Sequence, residues 1–273
     1  MEAQIGRKPR PGGPRGGERG PSRITWLGGL HAVEETLRAK PQSVRQLLVE
    51  HESKQPGLGE LVRRAKQAGA KVIFAGRREL DRLAGHHHQG VAVQVVGLGG
   101  SEMPDLGDFL SELTDEAKKN MVLVALDQIQ DPHNLGAIAR SAVNLGAAAL
   151  IFPERRSAPV TPVVVQASAG AIQKIPLLSV VNLGQALEKC KEAGFWVYGA
   201  DMGGAPVWSA TINFPLVLVI GSEGAGMRPL VKETCDEVLS IPQAGQAVES
   251  LNASCAASVL LYELARRKSV EGR

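Results

Sequence analysis

Aromatic residues are scarce: Phe, Trp and Tyr make up 4% of the 273 residues. Stacking platforms are therefore few, and any polymer ligand must be gripped mainly by charge and shape. Cysteine is also rare. Cys190, Cys235 and Cys255 are odd in number, far apart, and form no C-x-x-C pair. That excludes a disulfide framework, argues against a cysteine-bound zinc and suits a reducing compartment. The plain reading of these thiols is buried small apolar side chains. Long apolar runs are missing too. Stretches such as Leu216–Ile220 fall far short of the ~18 residues of a membrane span. With 44% apolar and 22% charged residues, wholesale disorder and collagen-like repeats are excluded. Length predicts about two domains.

Charge is unevenly placed. Residues 1–23 hold six Lys/Arg (Arg7, Lys8, Arg10, Arg15, Arg19, Arg23) against Glu2 and Glu18, a net +4. The whole chain is +3, so the remainder is −1. Ten of those 23 residues are Gly or Pro. The segment has almost nothing to bury, and we expect a disordered basic tail suited to polyanions. Its glycines and prolines spoil an amphipathic presequence helix. No apolar core follows the basic residues as in a signal peptide, so the expected address is cytoplasmic.

Order is expected from about Ile24. Helices are predicted at 28–40, 58–68 and 78–84, and strands at 45–50, 71–74 and 91–96. Together they make a small α/β domain over 24–97. Residues 97–105 (GLGGSEMPD) are rich in turn formers, so 98–118 reads as a linker, ending in a possible helix at 109–119. In 119–273, aliphatic strands (121–126, 148–152, 196–200, 216–220, 238–241) alternate with helical patterns (135–145, 164–171, 183–193, 229–234, 251–267). Such alternation predicts a mostly parallel sheet covered on both faces. Ligands of such sheets bind beyond the carboxyl ends of the strands.

Three segments there carry unusual residues. In the first, LDQIQDPHNLGAIAR (126–140), a strand ends and a polar loop feeds a helix. Asn134 reads as its N-cap. Arg140 sits among small apolar residues and needs a partner. The second is GSEGAGM (221–227), where glycines after a buried strand permit close approach to backbone. Its order is not the G-x-G-x-x-G dinucleotide fingerprint, which disfavours a nicotinamide enzyme. It is not G-x-S-x-G either, so Ser222 is no nucleophile elbow. The third is IPQAGQAVESLNAS (241–254), a loop entering a helix that Ser250 or Asn252 can cap. The small face of Ala253, Ala256 and Ala257 permits close helix packing, including packing by a second subunit.

Taken together, DPHNLGAIAR, GSEGAGM and IPQAGQAVESLNAS resemble the three motifs of the SpoU (TrmH-like) RNA 2′-O-ribose methyltransferases. Upstream, WLGGLHAVEETL and HHHQGVAVQV resemble the two ends of the RNA-binding domain in the RlmB-like branch of that family. The likeness spans about 24–267. It implies a C-terminal SPOUT α/β fold with a deep trefoil knot, preceded by a small α/β RNA-binding domain. It also implies a homodimer with the active site beside the interface, and bent S-adenosylmethionine contacted by Gly221, Ile241 and Leu251. Asn134, Arg140, Glu223, Ser250 and Asn252 match the family's polar active-site positions. The implied activity is methylation of a guanosine 2′-hydroxyl in 23S (large-subunit) ribosomal RNA. A transfer-RNA or other ribosomal-RNA ribose methyltransferase, or a non-catalytic assembly factor, are the rivals. No metal or membrane partner is implied. The third motif departs from the family pattern I-P-M-x-G-x-V-E-S-L-N: Gln243 stands for Met, and one residue is added near Ala247.

The family casts the matching arginine as a base. Arginine is effectively always protonated, so Arg140 is better read as holding a phosphate and stabilising the alkoxide, with the proton leaving through water or Glu223. His133 reads as a loop histidine bonded to backbone. His86, His87 and His88 are consecutive, so their side chains do not converge on one ion; RNA contact is one reading of them, beside a plain structural role. Arg63, Arg64, Lys71, Arg77 and Arg78 are the basic candidates for the same role.

Overall fold

The computed structural model describes residues 24–51, 53, 55–86, 88–96, 104–244 and 250–271. The basic tail, residues 98–103 of the expected linker, His87 and the added residue near Ala247 lie outside them.

The first unit runs β1 (Ile24–Gly28), α1 (Leu30–Ala39), β2 (Val44–Glu50), α2 (Leu58–Gln67), β3 (Lys71–Ala75), α3 (Arg77–Ala84) and β4 (Val91–Val96). Its sheet order is β1-β4-β2-β3, with β2 and β3 parallel and the other pairs antiparallel. Strand β1 was not expected. Its pairing with β4 supplies what five residues of ITWLG do not show alone.

Two short helices follow, α4 (Leu106–Ser111) and α5 (Asp115–Lys118). The single helix expected at 109–119 is thus broken. Thr114 ends the first by capping the second, its hydroxyl accepting from Ala117 N at 3.2 Å.

The second unit comprises β5 (Val122–Asp127), α6 (Pro132–Asn144), β6 (Ala149–Pro153), α7 (Pro162–Ala167), β7 (Leu177–Val180), α8 (Leu183–Glu192), β8 (Trp196–Pro206), β9 (Leu216–Gly221), α9 (Pro229–Thr234), β10 (Glu237–Ser240) and α10 (Ala253–Glu271). The sheet order is β10-β8-β9-β5-β6-β7, and every pair is parallel. Strand β7 escaped the sequence reading because four residues carry no period.

Strands β5 and β9 are buried along their whole length. Val122, Val124, Leu126, Leu216, Leu218 and Ile220 face α6 and α10. Leu123, Ala125, Val217 and Val219 face α8 and α9. Each such side chain contributes about 1.5–3 kcal/mol when fully buried, and burial on both faces explains the unbroken aliphatic runs. Ala257 is buried against the chain's own core, and Ser258 on α10 bonds Ser141 on α6 at 2.7 Å. Of the small face, Ala253 and Ala257 therefore pack inside the chain, and Ala256 is half-buried. Among the described residues no helix is long and apolar enough to cross a membrane.

Candidate active site

The three sequence segments converge at the carboxyl ends of β5 and β9. Helix α6 begins at Pro132, not at Leu135, and its cap is Asp131, whose Oδ1 accepts from His133 N at 3.0 Å. Pro at the first helical position is preorganised for the turn. Asn134 therefore does not cap. It lies inside the first turn, buried, with its amide free to reach elsewhere.

That amide donates to Glu223 Oε1 at 3.0 Å. Asn252 donates to Asn134 Oδ1 at 3.0 Å and also bonds Glu223 Oε1. Asn252 has a second task. Its Oδ1 accepts from Ser254 N at 2.9 Å and Cys255 N at 3.3 Å, capping α10. One side chain thus orients a helix and two site residues.

Glu223 stands on a tight turn after β9. Ser222 N and Gly226 O are 3.0 Å apart, and Gly226 N and Ser222 O 2.9 Å. Gly221 must be glycine here: a β-carbon would lie 2.2 Å from the carbonyl carbon of Gly226. The turn is braced by a pair the sequence reading missed. Asp127, fully buried at the end of β5, accepts from Arg228 N at 2.7 Å and from Arg228 Nε and Nη2 at 2.8 Å. The available signal was an acid at the end of an aliphatic parallel strand.

Two cavities flank this turn. One, of about 190 Å³, draws walls from Gly221, Ile241, Ser250 and Leu251 over an apolar floor of Ile220, Leu239 and Leu260. The other, of about 310 Å³, is polar and lies among Gln128, Asp131, Asn134, Ser222 and Glu223. Glu223 belongs to both. Asp201 also lines the first cavity and was likewise missed. Its carboxyl is held below the usual range by the N–H of Gly203 at 3.0 Å, against burial, with Lys232 Nζ 3.0 Å away adding to the effect. An apolar slot edged by glycine backbone, with the anchored carboxylates of Asp201 and Glu223 in its wall, fits an adenosyl group with polar hydroxyl and ammonium ends.

Arg140 is not brought to this cluster. Six residues beyond Asn134, it lies about 120° around α6 from it. It is exposed, and no carboxylate pairs with it among the described residues. His133 is exposed on the first turn. His88, by contrast, is a core side chain. Its Nδ1 accepts from Gly90 N at 2.9 Å, so Nε2 carries the proton toward Asp81 at 3.2 Å. That corrects its reading as an RNA contact. Arg63 and Arg64 are also committed, both to Glu60. Cys190 is buried, and burial pushes its thiol up to about 12. Cys255 is exposed, contrary to expectation. Among the described residues no three His, Cys, Asp or Glu side chains group as metal ligands.

Comparison with known proteins defines the class. Residues 121–262 match the SpoU rRNA Methylase family, and residues 26–98 match the family described as RNA 2′-O ribose methyltransferase substrate binding. The chain belongs to the SpoU rRNA methylase family. YacO of Bacillus subtilis, a TrmH family protein, is 39% identical over 245 residues, 89% of this chain and 96% of that one. The 23S rRNA (guanosine-2′-O-)-methyltransferase RlmB of Pseudomonas putida is 37% identical over 252 residues, 92% and 99% of the two chains. Among solved structures, the SpoU methyltransferase AviRb of Streptomyces viridochromogenes, crystallised with AdoMet, superposes with a TM-score of 0.72 at 28% identity, covering 90% of this chain and 91% of that one.

Proposed function

We propose that this protein methylates the 2′-oxygen of a guanosine ribose in 23S ribosomal RNA, in the cytoplasm, using S-adenosylmethionine. The observation that carries the reading is the Asn134–Glu223–Asn252 cluster, seated between an apolar cavity and a polar one. The relatives that match nearly the whole chain include enzymes named for that reaction, which favours ribosomal over transfer RNA. The intact cluster argues against a non-catalytic assembly factor. The reading includes the domain division at 24–97 and 119–273 and the trefoil knot of the family.

Gly221, Ile241 and Leu251 would hold the cofactor, with Asp201 accepting from its polar end. When bound, S-adenosylmethionine supplies an electrophilic methyl group on a sulfonium. The chain supplies geometry and a proton path. Asn134 and Asn252 both bond Glu223 Oε1, which fixes the carboxylate and leaves Oε2 to accept the proton of the attacking 2′-hydroxyl. Ser250, in the wall of the cofactor cavity, orients the ribose. Holding nucleophile and methyl carbon in line contributes up to ~7–11 kcal/mol in favourable systems.

The protein acts as a homodimer in this reading. Helix α10 exposes Cys255, Val259 and Tyr262 at helical spacing, and the neighbouring helix α6 exposes Arg140. A second copy covering this stripe takes the Arg140 guanidinium toward its own bound RNA, where it holds the phosphate beside the reacting ribose and stabilises the alkoxide.

The test is methyl transfer from labelled S-adenosylmethionine to transcribed 23S ribosomal RNA, with the product ribose mapped by mass spectrometry. A methylated guanosine ribose that disappears with Glu223→Ala is the expected result. Label only in transfer RNA, or cofactor binding with no transfer, would overturn it in favour of the rivals.

A further inference from the structure

A third cavity lies apart from the three loops, where the two units meet. It encloses about 400 Å³ and is lined by His31, Arg77, His86 and Gln89 from the first unit and by Gln166 and Ala169 from the second. Among the described residues its lining holds one guanidinium, two imidazoles, two amides and no carboxylate. His86 Nδ1 pairs with Asp81 at 3.1 Å, but Arg77 has no carboxylate partner among the described residues.

The backbone around it is strained. Among the described residues, four that are not glycine have positive φ. Gln89 (50°) and Ala169 (48°) line this cavity, and Gln128 (62°) lines the polar cavity beside Asn134. Such residues cost ~1–3 kcal/mol each and collect at functional sites. Gln89 is pinned as well: its Oε1 accepts from Leu30 N at 3.1 Å, which leaves its NH₂ group as a donor.

The cavity is coupled to the active site by packing. Gly136, two residues past Asn134, lies so close to α7 that a β-carbon would come 2.5 Å from Ala167 Cβ and 3.0 Å from Ser168 N. Gln166 and Ala169 flank those two residues. Across the junction, Gln173 Nε2 donates to Thr36 Oγ1 at 2.9 Å and Lys174 Nζ pairs with Glu35 at 2.7 Å. The two walls therefore have a fixed relation.

We propose that this junction cavity is a second RNA subsite, which takes the phosphodiester and ribose of a nucleotide other than the one methylated. It rests on the ribose-methylation reading above. Arg77 holds the phosphate, and the amides of Gln89 and Gln166 bond ribose hydroxyls or a base edge. Because one wall comes from each unit, only a strand spanning both fills it, and the site measures the distance from anchor to target.

The test uses the full chain and its Arg77→Ala, Arg77→Lys and Gln166→Ala variants. Three quantities are measured: affinity for transcribed 23S ribosomal RNA at several salt concentrations, affinity for S-adenosylmethionine, and KM and kcat of transfer. Arg77→Ala should weaken RNA binding and raise its KM roughly tenfold, and lower the slope of log K against log salt by about one. Cofactor affinity and kcat at saturating RNA should stay within about twofold. Arg77→Lys should restore the slope, and Gln166→Ala should raise KM without changing it. Wild-type RNA affinity in both Arg77→Ala and Gln166→Ala would overturn the proposal. So would Arg77-dependent binding of adenosine monophosphate with RNA affinity unchanged, which marks a free-nucleotide site. If the wild type transfers no methyl group while Arg77→Ala still weakens RNA binding, the methylation reading has failed and the subsite stands.

Discussion

The side-chain amide of Asn252 donates to Asn134 Oδ1 at 3.0 Å across a separation of 118 residues. The same Asn252 caps α10 through its oxygen. The register of the longest helix and the placement of Glu223 are therefore one constraint, since a shift of α10 would carry the Asn252 amide away from both partners.

The two tasks of Asn252 are separable. Asn252→Ser keeps a capping oxygen but loses the amide donor. Its thermal midpoint should stay within a few degrees of wild type, while methyl transfer falls about 100-fold. Asn252→Ala should lose the same activity and in addition about 1 kcal/mol of stability. Thermal unfolding and initial rates on the two variants check this. Equal activity in Asn252→Ser and wild type would remove the amide from the mechanism.

Asp127 and Arg228 brace the turn that carries Glu223. Arg228→Ala leaves a buried carboxylate with only the Arg228 N–H as partner, and should cost about 3–5 kcal/mol in urea unfolding. Asp127→Asn with Arg228→Met should recover part of that loss. Cofactor affinity, measured by calorimetry, should follow the stability of the turn.

Much of this architecture is legible in the residues. Strands β5 and β9 declare themselves because both faces are buried, and the three motif loops follow from where those strands end. The start of α6 was also readable: Asp131 followed by Pro132 is a stronger start signal than Asn134, and heeding it frees Asn134 for the site. The partner of Asp127 and the positive φ of Gln89 and Ala169 were not readable: Arg228 lies 101 residues from Asp127 and Leu30 59 residues from Gln89, and only the fold brings them together. The outward turn of Arg140 follows from helical geometry, once α6 is known to begin before Asn134.

Acid should weaken the anchoring of α10. Arg266 bonds the Glu263 carboxylate at 2.8 Å and, against burial, holds it down to about 2, with Arg267 adding to the effect. Arg267 also donates to the carbonyls of Ala210, at 2.7 Å, and Val207. A depressed carboxyl contributes its full stability above its ordinary value of 4.5 and loses it as pH falls toward about 2. Glu263→Gln should therefore cost about 1–2 kcal/mol at pH 7 and nearly nothing near pH 2. Urea midpoints at the two ends of this range give the difference.

Arg140 gives the sharpest test of how the site is completed. In one chain it lies about 120° around α6 from Asn134, on an exposed face. Arg140→Ala should leave cofactor affinity and thermal midpoint unchanged and reduce transfer at least 100-fold. Asn134→Ala should be comparably inactive. If the guanidinium works across a dimer interface, unfolding and refolding an equimolar mixture of the two variants restores activity. Half of the dimers are then mixed, and each has one site with an intact cluster facing an intact Arg140, so about a quarter of wild-type activity returns by the pairwise logic of symmetric dimers. If Arg140 works within its own chain, every site in the mixture is defective and no activity returns.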